Sequence, residues 1–225
     1  GLEYLDLSDC GLQDGFETPS GRRDSLFASL KDSLHVLRLA SNQLTRVPTD
    51  LWRVSLRTLD LSHNHIDQDI TSVMTDIAPG RNKPQGQSAS FDVSTLDVLD
   101  LSHNNISDAF PQNIFATNWG LTRLTVLDCS NNQISGPFPK VFTTIPIHSI
   151  DVSNNILDGY LHASLGMLQG TLRMFDIRGN PKLRECRDDD CAEQLLVAKG
   201  KSIIDKPDSR CFQVSAVKLP DTALA

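Results

Sequence analysis

The sequence lacks the features that mark several large classes of function. Basic residues are outnumbered, with 21 Lys and Arg against 28 Asp and Glu among 225 residues, and they form no basic run. Binding to nucleic acid or to anionic membranes takes most of its affinity from such runs, so both are excluded as primary functions. No segment approaches the roughly 20 apolar residues needed to cross a bilayer, so we expect no direct membrane insertion.

Signatures of enzymes are also missing. The sequence contains no G-x-S-x-G, H-E-x-x-H, P-loop, G-x-G-x-x-G or C-x-x-C pattern, and these patterns place the nucleophiles, metals and phosphates of common enzyme families. None of the six His comes with a nucleophile at an informative spacing. We therefore expect no catalytic residue, no cofactor and no metal site.

Leucine and asparagine are abundant instead, and they recur in a fixed pattern. The order Leu, two residues, Leu, one residue, Leu, two residues, Asn or Cys, one residue, Leu, with some conservative replacements, occurs seven times. The repeats start at Leu2, Leu34, Leu56, Leu96, Leu124, Ile147 and Leu172. Alternate side chains of a strand point to opposite faces, so the second and third leucines of each unit face inward. One unit cannot bury its apolar side alone, which predicts a solenoid of stacked units.

This repeat resembles the leucine-rich repeat family, and the resemblance extends from Leu2 to Leu183. It implies an α/β fold of about seven repeats, with a parallel sheet on the concave face, irregular or short helical turns on the convex face, and a helical C-terminal cap. We expect a solenoid over 1–183, with loop insertions near 13–25 and 78–95, and a cap and tail over 184–225. The segment ISGPFP of the fifth repeat is similar to plant-type extracellular leucine-rich repeats.

Half of the asparagines occupy a single position of the repeat. A buried amide there can hydrogen-bond the turning backbone within its own coil and in the neighbouring coil. The predicted ladder consists of Cys10, Asn42, Asn64, Asn104, Asn132, Asn155 and Asn180. We expect Cys10 and the inward Cys129 to be buried free thiols, since they lie four coils apart and beyond disulfide reach.

Three cysteines follow the last repeat and resemble a reduced version of the cysteine-rich flank of extracellular leucine-rich repeat proteins. The resemblance implies a disulfide between Cys186 and Cys211, or alternatively between Cys191 and Cys211. The triplet that begins at Asn105 is a sequon for N-glycosylation. Together these features predict a secreted or cell-surface protein. A cytoplasmic protein with reduced thiols is the alternative.

Two columns of outward residues define a candidate binding face. The residue between the second and third leucines is acidic in six repeats and forms the column Asp6, Arg38, Asp60, Asp100, Asp128, Asp151 and Asp176. Carboxylates about 5 Å apart repel each other by roughly 1 kcal/mol in water, so this column is predicted to attract a basic partner. Alternatively the column is structural, with the Ser two residues later donating to it. Two residues before the column lie Tyr4, Val36, Thr58, Val98, Val126, Ser149 and Met174.

The family resemblance implies a non-enzymatic protein-recognition module. We predict that a protein or peptide ligand binds the concave face through Val98, Asp100, Val126, Asp128, Asp151, Met174, Asp176, His63 and His103. The two histidines are expected side by side, where metal binding or a pH response is a further possibility. One alternative function is a structural subunit of an extracellular or cell-surface assembly, bound to neighbouring subunits. A second is an intracellular adaptor or enzyme regulator.

Overall fold

The computed structural model describes residues 1–16, 26–48, 51, 54–77, 95–112, 114–115, 121–140, 145–168 and 171–184. Most residues of both predicted insertions lie outside these ranges. The predicted helical cap, with Cys186, Cys191 and Cys211, also lies outside them.

Seven parallel strands, one from each repeat, form the main sheet and follow one another in chain order. They are β1 (Tyr4–Asp6), β2 (Val36–Arg38), β3 (Thr58–Asp60), β4 (Val98–Asp100), β6 (Val126–Asp128), β8 (Ser149–Asp151) and β10 (Met174–Asp176). The register is constant, so that Asp100 pairs with Asp128 and Asp128 pairs with Asp151. The predicted solenoid with its parallel sheet on the concave face is therefore confirmed, and equivalent positions of successive repeats form continuous columns.

A second parallel sheet follows the ladder position of the later repeats. Its strands are β5 (Ser107–Ala109), β7 (Gln133–Pro137), β9 (Ile156–Tyr160) and β11 (Lys182–Arg184), in the order β11, β9, β7, β5. The sequence analysis predicted irregular or short helical turns on the convex face. Short helices do occur in some coils, but this second sheet was not predicted. Gly and Pro in these strands indicate turns when each repeat is considered alone, whereas stacking of successive coils pairs their extended backbones.

Short helices complete some of the coils. They are α1 (Leu26–Leu30), α2 (Ile70–Ile77) and a 3₁₀ helix over Ala163–Leu168. Helix α2 begins after Asp69, whose carboxylate accepts the backbone N–H of Ser72 at 2.8 Å and caps the helix. Its inward face buries Ile70, Val73, Met74 and Ile77. Within the described ranges, none of the helices has the length and apolarity required to cross a bilayer.

The inward leucines stack from coil to coil into one core. Leu37, Leu59 and Leu99 are fully buried at the centres of neighbouring strands. Toward the later repeats, Phe138 packs against Phe175 with ring centroids 5.3 Å apart. Each coil therefore covers the apolar surface of the next coil. In a solenoid, stability comes mainly from such contacts between neighbouring repeats.

After each strand of the main sheet the chain turns through a residue with positive φ. The residues are Asp9, Ser41, His63, His103, Asn131, Asn154 and Gly179, with φ between 52° and 72°. This left-handed conformation is costly for most L-residues, and glycine adopts it freely. In six of the seven turns a residue other than glycine therefore holds this conformation, directly before the ladder residue.

Replacing Gly179 with Ala is expected to lower the free energy of unfolding by about 2–4 kcal/mol, because conformational strain adds to overpacking. Its added Cβ would lie 3.0 Å from the backbone N and Cα of Asn154 in the preceding coil. Gly11→Ala is the matched control, since φ is also positive there but the nearest neighbouring atom is 3.9 Å away. Urea denaturation measures both variants, and equal losses would contradict the packing argument.

Candidate functional site

The asparagine ladder fixes the spacing of the strands that carry the candidate site. The side-chain Nδ2 of Asn64 donates to the carbonyls of Leu61 and Ser62 in its own coil, both at 3.1 Å, and to Leu39 of the preceding coil at 2.9 Å. Its Oδ1 accepts the N–H of Leu44 at 3.1 Å. The same pattern occurs at Asn42, Asn104, Asn132, Asn155 and Asn180. Each amide thus ties two coils together in a fixed register.

The cysteine at the first ladder position differs from the prediction. Cys10 is exposed, and its thiol donates only a local hydrogen bond to the Ser8 carbonyl at 3.4 Å. The expectation of a buried thiol was wrong because β1 is the outer strand of the sheet, so one face of its coil is uncovered among the described residues. Cys129 is buried as predicted. Burial raises the pKa of the Cys129 thiol, which keeps it protonated.

The acidic column is anchored by the backbone that follows each strand. One carboxylate oxygen of Asp100, Asp128 and Asp151 accepts the N–H two residues later at 2.9 Å. The same bond occurs at Asp6, Asp60 and Asp176. This backbone contact accounts for the Asp of the Asp-x-Ser pattern, and at Asp60 the Ser62 hydroxyl also donates to the carboxylate at 2.7 Å. Because an ionised carboxylate accepts up to about four hydrogen bonds, Asp100, Asp128 and Asp151 keep acceptor capacity for a ligand.

The three central carboxylates are poorly solvated. Burial raises the pKa of Asp100, Asp128 and Asp151 to about 6, and repulsion between neighbouring carboxylates adds to the shift. Among the described residues, none of the three has a Lys, Arg or His nitrogen within ion-pair distance. The centre of the column is therefore a concentration of uncompensated negative charge near neutral pH.

Both ends of the column are occupied by arginine. The guanidinium of Arg38 lies 5.6 Å from the Tyr4 ring centroid and 4.0 Å from the Asp6 carboxylate. At the other end, Nε of Arg178 donates to both carboxylate oxygens of Asp176 at 2.9 Å. Asp176 is only 1% exposed, so it is not available to a ligand as the sequence analysis expected. The signal that was missed is Arg at 178, where most of the other repeats carry Ser.

The apolar column runs beside the acidic one. Val98, Val126 and Met174 are half-buried on the outward side of β4, β6 and β10. Ser149 on β8 is buried, so the apolar surface narrows at that strand. Each Val lies two residues before the Asp of the same strand, which places apolar and acidic side chains on one face.

His63 and His103 form a stacked pair at the rim of the acidic column. Their ring centroids are 4.1 Å apart and the planes differ by 10°. Burial, followed by repulsion from His63, lowers the pKa of His103. Imidazole lone pairs lie in the ring plane, so stacked rings do not direct two nitrogens at one ion. No group of three or more His, Cys, Asp or Glu suited to a metal occurs in the described parts of the chain.

Two asparagines that the sequence analysis did not select extend this rim. The Nδ2 of Asn131 lies 3.2 Å from Nε2 of His103, and Asn154 donates to Oδ1 of Asn131 at 3.1 Å. They occupy the same positive-φ position as the histidines, directly before the ladder residue. That shared position is the signal that would have identified them.

The sequon asparagine lies away from the concave face, at the entry to the second sheet. Nδ2 of Asn105 donates to Asp67 of the preceding coil at 2.8 Å, and its Oδ1 accepts Nε2 of Gln133 in the next coil. The side chain is half-buried. Glycosylation of Asn105 stays a prediction.

Comparison with known proteins bears directly on the repeat architecture. Family models described as Leucine Rich repeats match residues 94–140 in two copies, and single-repeat models match residues 54–69 and 1–22. The chain is a leucine-rich repeat protein. The three matches lie on repeats whose strands pair in the main sheet. A comparison of this leucine-rich repeat protein with curated proteins returned no match.

Solved structures share the fold. The crystal structure of a Pollen Receptor Kinase 3 is similar with a TM-score of 0.56 and 20% identity, over 83% of this chain and 76% of that one. The crystal structure of PEPR1-AtPEP1 is similar with a TM-score of 0.54 and 22% identity, over 72% of this chain. The match spans only 20% of that second chain.

Proposed function

We propose that this leucine-rich repeat protein is a non-enzymatic recognition module that binds a protein or peptide through its concave sheet. The observation that carries the proposal is the row of three in-register carboxylates on β4, β6 and β8, which the described residues leave without a basic partner. The ligand surface contains Val98, Asp100, Val126, Asp128, Asp151, Met174, His63 and His103. Asp176 is left out because Arg178 covers it.

The charge of this row favours a ligand with Lys or Arg side chains. A charge-assisted hydrogen bond is stronger where solvent is partly excluded, and burial has already removed much of the water from these carboxylates. A bound cation would also relieve the repulsion among Asp100, Asp128 and Asp151. Specificity then comes from charge, while apolar contact with Val98 and Val126 adds affinity.

The two columns favour an extended ligand that crosses the strands. Successive side chains of an extended peptide point to opposite sides. A peptide lying between the columns therefore directs alternate residues toward the acidic row and toward the apolar row. Neighbouring strands of the sheet are about 4.8 Å apart, whereas every second residue of an extended peptide is about 6.8 Å apart. Flexible Lys side chains can span this difference in spacing. His63, His103 and the neighbouring asparagines supply a polar rim.

The proposed location is outside the cell or at its surface. The sequon at Asn105, the plant-type segment in the fifth repeat and the cysteines after residue 184 support it. The fold shared with a receptor kinase structure agrees with this location. In a secreted preparation, the intact mass before and after deglycosylation and reduction tests both the glycan and the disulfide of Cys186 or Cys191 with Cys211.

Charge reversal in the acidic row tests the binding face. The probe is a ten-residue peptide with alternating Lys and Val and blocked ends, titrated by calorimetry at low salt. The double variant Asp128→Lys with Asp151→Lys is expected to bind the probe at least tenfold more weakly, or about 1.4 kcal/mol, because attraction becomes repulsion. Asp128→Asn with Asp151→Asn keeps the backbone-accepting oxygen and should give a smaller loss in the same direction.

The control changes the net charge equally at another place. Asp32 and Asp67 are exposed outside the concave columns, so Asp32→Lys with Asp67→Lys should leave the dissociation constant within about twofold. Circular dichroism of each variant establishes that it is folded. Unchanged probe affinity in the Asp128 and Asp151 variants, or equal losses in the control, would rule out the acidic row as the binding site.

A further inference from the structure

We propose that the second sheet carries another protein-docking surface, independent of the concave face, for a partner with an apolar side chain flanked by carboxylates. The surface, called here the lateral patch, consists of Pro137, Ile156, Asp158, Tyr160, Lys182 and Arg184. It extends across β7, β9 and β11.

The apolar part of the lateral patch is exposed on a well-anchored strand. Along β9, Leu157 is fully buried, whereas Ile156 is 50% and Tyr160 is 42% exposed. Only two other large apolar side chains of the described residues are comparably exposed, Leu2 and Tyr4 at the opposite end of the solenoid. Aromatic and apolar residues held on a rigid strand contribute contact area at little entropic cost, which is typical of interface anchors.

The charged part of the lateral patch is basic, in contrast to the net charge of −7 of the chain. Lys182 pairs in register with Asp158, and Arg184 with Tyr160. Neither cation has a carboxylate within 4.0 Å among the described residues. The two cations outnumber the single nearby Asp, so the patch beside Tyr160 has a net positive charge that can attract a carboxylate of a partner. Arg can bind such a carboxylate through two parallel hydrogen bonds.

The charges of the lateral patch favour docking of a different protein on the face of the second sheet, rather than addition of a strand at its edge or contact with a second copy of this chain. β11 is an edge strand of the second sheet, and exposed Lys on an edge strand discourages the addition of a further strand. In a two-fold contact between copies, the same patch meets itself, so Lys182 and Arg184 of one copy approach the cations of the other. An acidic partner avoids that repulsion and gains the charge complementarity described above.

A labelled peptide tests the lateral patch. The probe is a twelve-residue peptide with a central Leu-Phe pair, two Asp on each side and a fluorescent label, followed by anisotropy with the full chain. Ile156→Ser, and separately Lys182→Glu with Arg184→Glu, should each weaken probe binding at least fivefold. Hydroxyl-radical oxidation of Tyr160 should decrease when the probe is bound.

Matched controls separate this patch from general surface effects. Leu2→Ser removes a comparably exposed apolar side chain, and Lys31→Glu with Arg57→Glu reverses two exposed charges elsewhere, so both variants should bind the probe as the unmodified chain does. Failure of the unmodified chain to bind the probe, or equal losses in the controls, would overturn the proposal. Protection of Tyr160 before probe is added, or self-association lost in Ile156→Ser, would also overturn it by assigning the patch to the chain itself or to a second copy.

Discussion

Replacing Asn132 with Ala is expected to lower the free energy of unfolding by about 4 kcal/mol, because several buried backbone groups lose their hydrogen bonds at about 1–3 kcal/mol each. The Asn132 amide donates to the carbonyl of Leu101 at 3.0 Å and to those of Cys129 and Ser130 at 3.1 Å. Its oxygen accepts the N–H of Ile106 at 3.0 Å. Alanine leaves these groups unpaired where water does not reach them, and it uncouples two adjacent coils.

Urea denaturation followed by circular dichroism measures this loss. Gln133→Ala is the matched control, because Gln133 is the next residue, is also an amide and is exposed. We expect the control to change the free energy of unfolding by less than about 0.5 kcal/mol. A similar small change for Asn132→Ala would show that the ladder does not hold the coils together.

The triple variant Asp100→Asn, Asp128→Asn, Asp151→Asn is expected to be more stable than the unmodified chain at pH 7.5, by about 3 kcal/mol or more in total. Burial raises the pKa of each carboxyl from 3.8 to about 6 in the folded chain. Folding therefore favours the protonated form, and the ionised form costs stability above pH 6. Asparagine keeps the oxygen that accepts the backbone N–H and removes the charge.

The pH dependence of this stability difference is a sharper test than its value at pH 7.5 alone. As the pH falls from 7.5 through 6 toward 4, the folded chain takes up protons before the unfolded chain does, so the unmodified chain should gain stability relative to the variant. The difference should nearly vanish at pH 4. Asp6→Asn is the control, since hydrogen bonds from Ser8 lower the pKa of Asp6 and its effect has the opposite sign. A stability difference that is independent of pH would contradict the burial of these charges.

The same three carboxylates thus link stability to the proposed function. Their ionised forms cost free energy in the unbound chain, and the backbone contact at one oxygen would be kept equally by Asn. A ligand that supplies cations lowers their pKa again and offsets this cost. Binding of a basic peptide should accordingly be strongest above pH 6.

Much of the fold follows from the sequence because each repeat contacts mainly its neighbours. The period places Leu99 and Leu127 in the core, Asn104 and Asn132 in the ladder, and Asp100 beside Asp128, with no long-range information needed. The second sheet does not follow, because segments such as Gln133–Pro137 become strands only when adjacent coils align. The degree of burial also depends on neighbouring coils and is not readable from one repeat.

The remaining differences concern the ends of the columns. Cys10 occupies a ladder position but is exposed, since β1 is the outer strand. Asp176 has the repeat's acidic position but is covered by Arg178, a residue outside the repeat consensus. In both cases the repeat pattern gives the position of the side chain, whereas the neighbouring residues determine whether that side chain is exposed or buried.

Carboxyl footprinting of the chain bound to the Lys-Val peptide tests the central claim most directly. Carbodiimide labelling followed by mass spectrometry reports which Asp side chains the peptide covers at pH 7. We predict that labelling of Asp100, Asp128 and Asp151 falls on binding while that of Asp32 and Asp67 stays constant. Unchanged labelling of the three central carboxylates, or protection confined to Asp158 on the second sheet, would contradict recognition through the concave face.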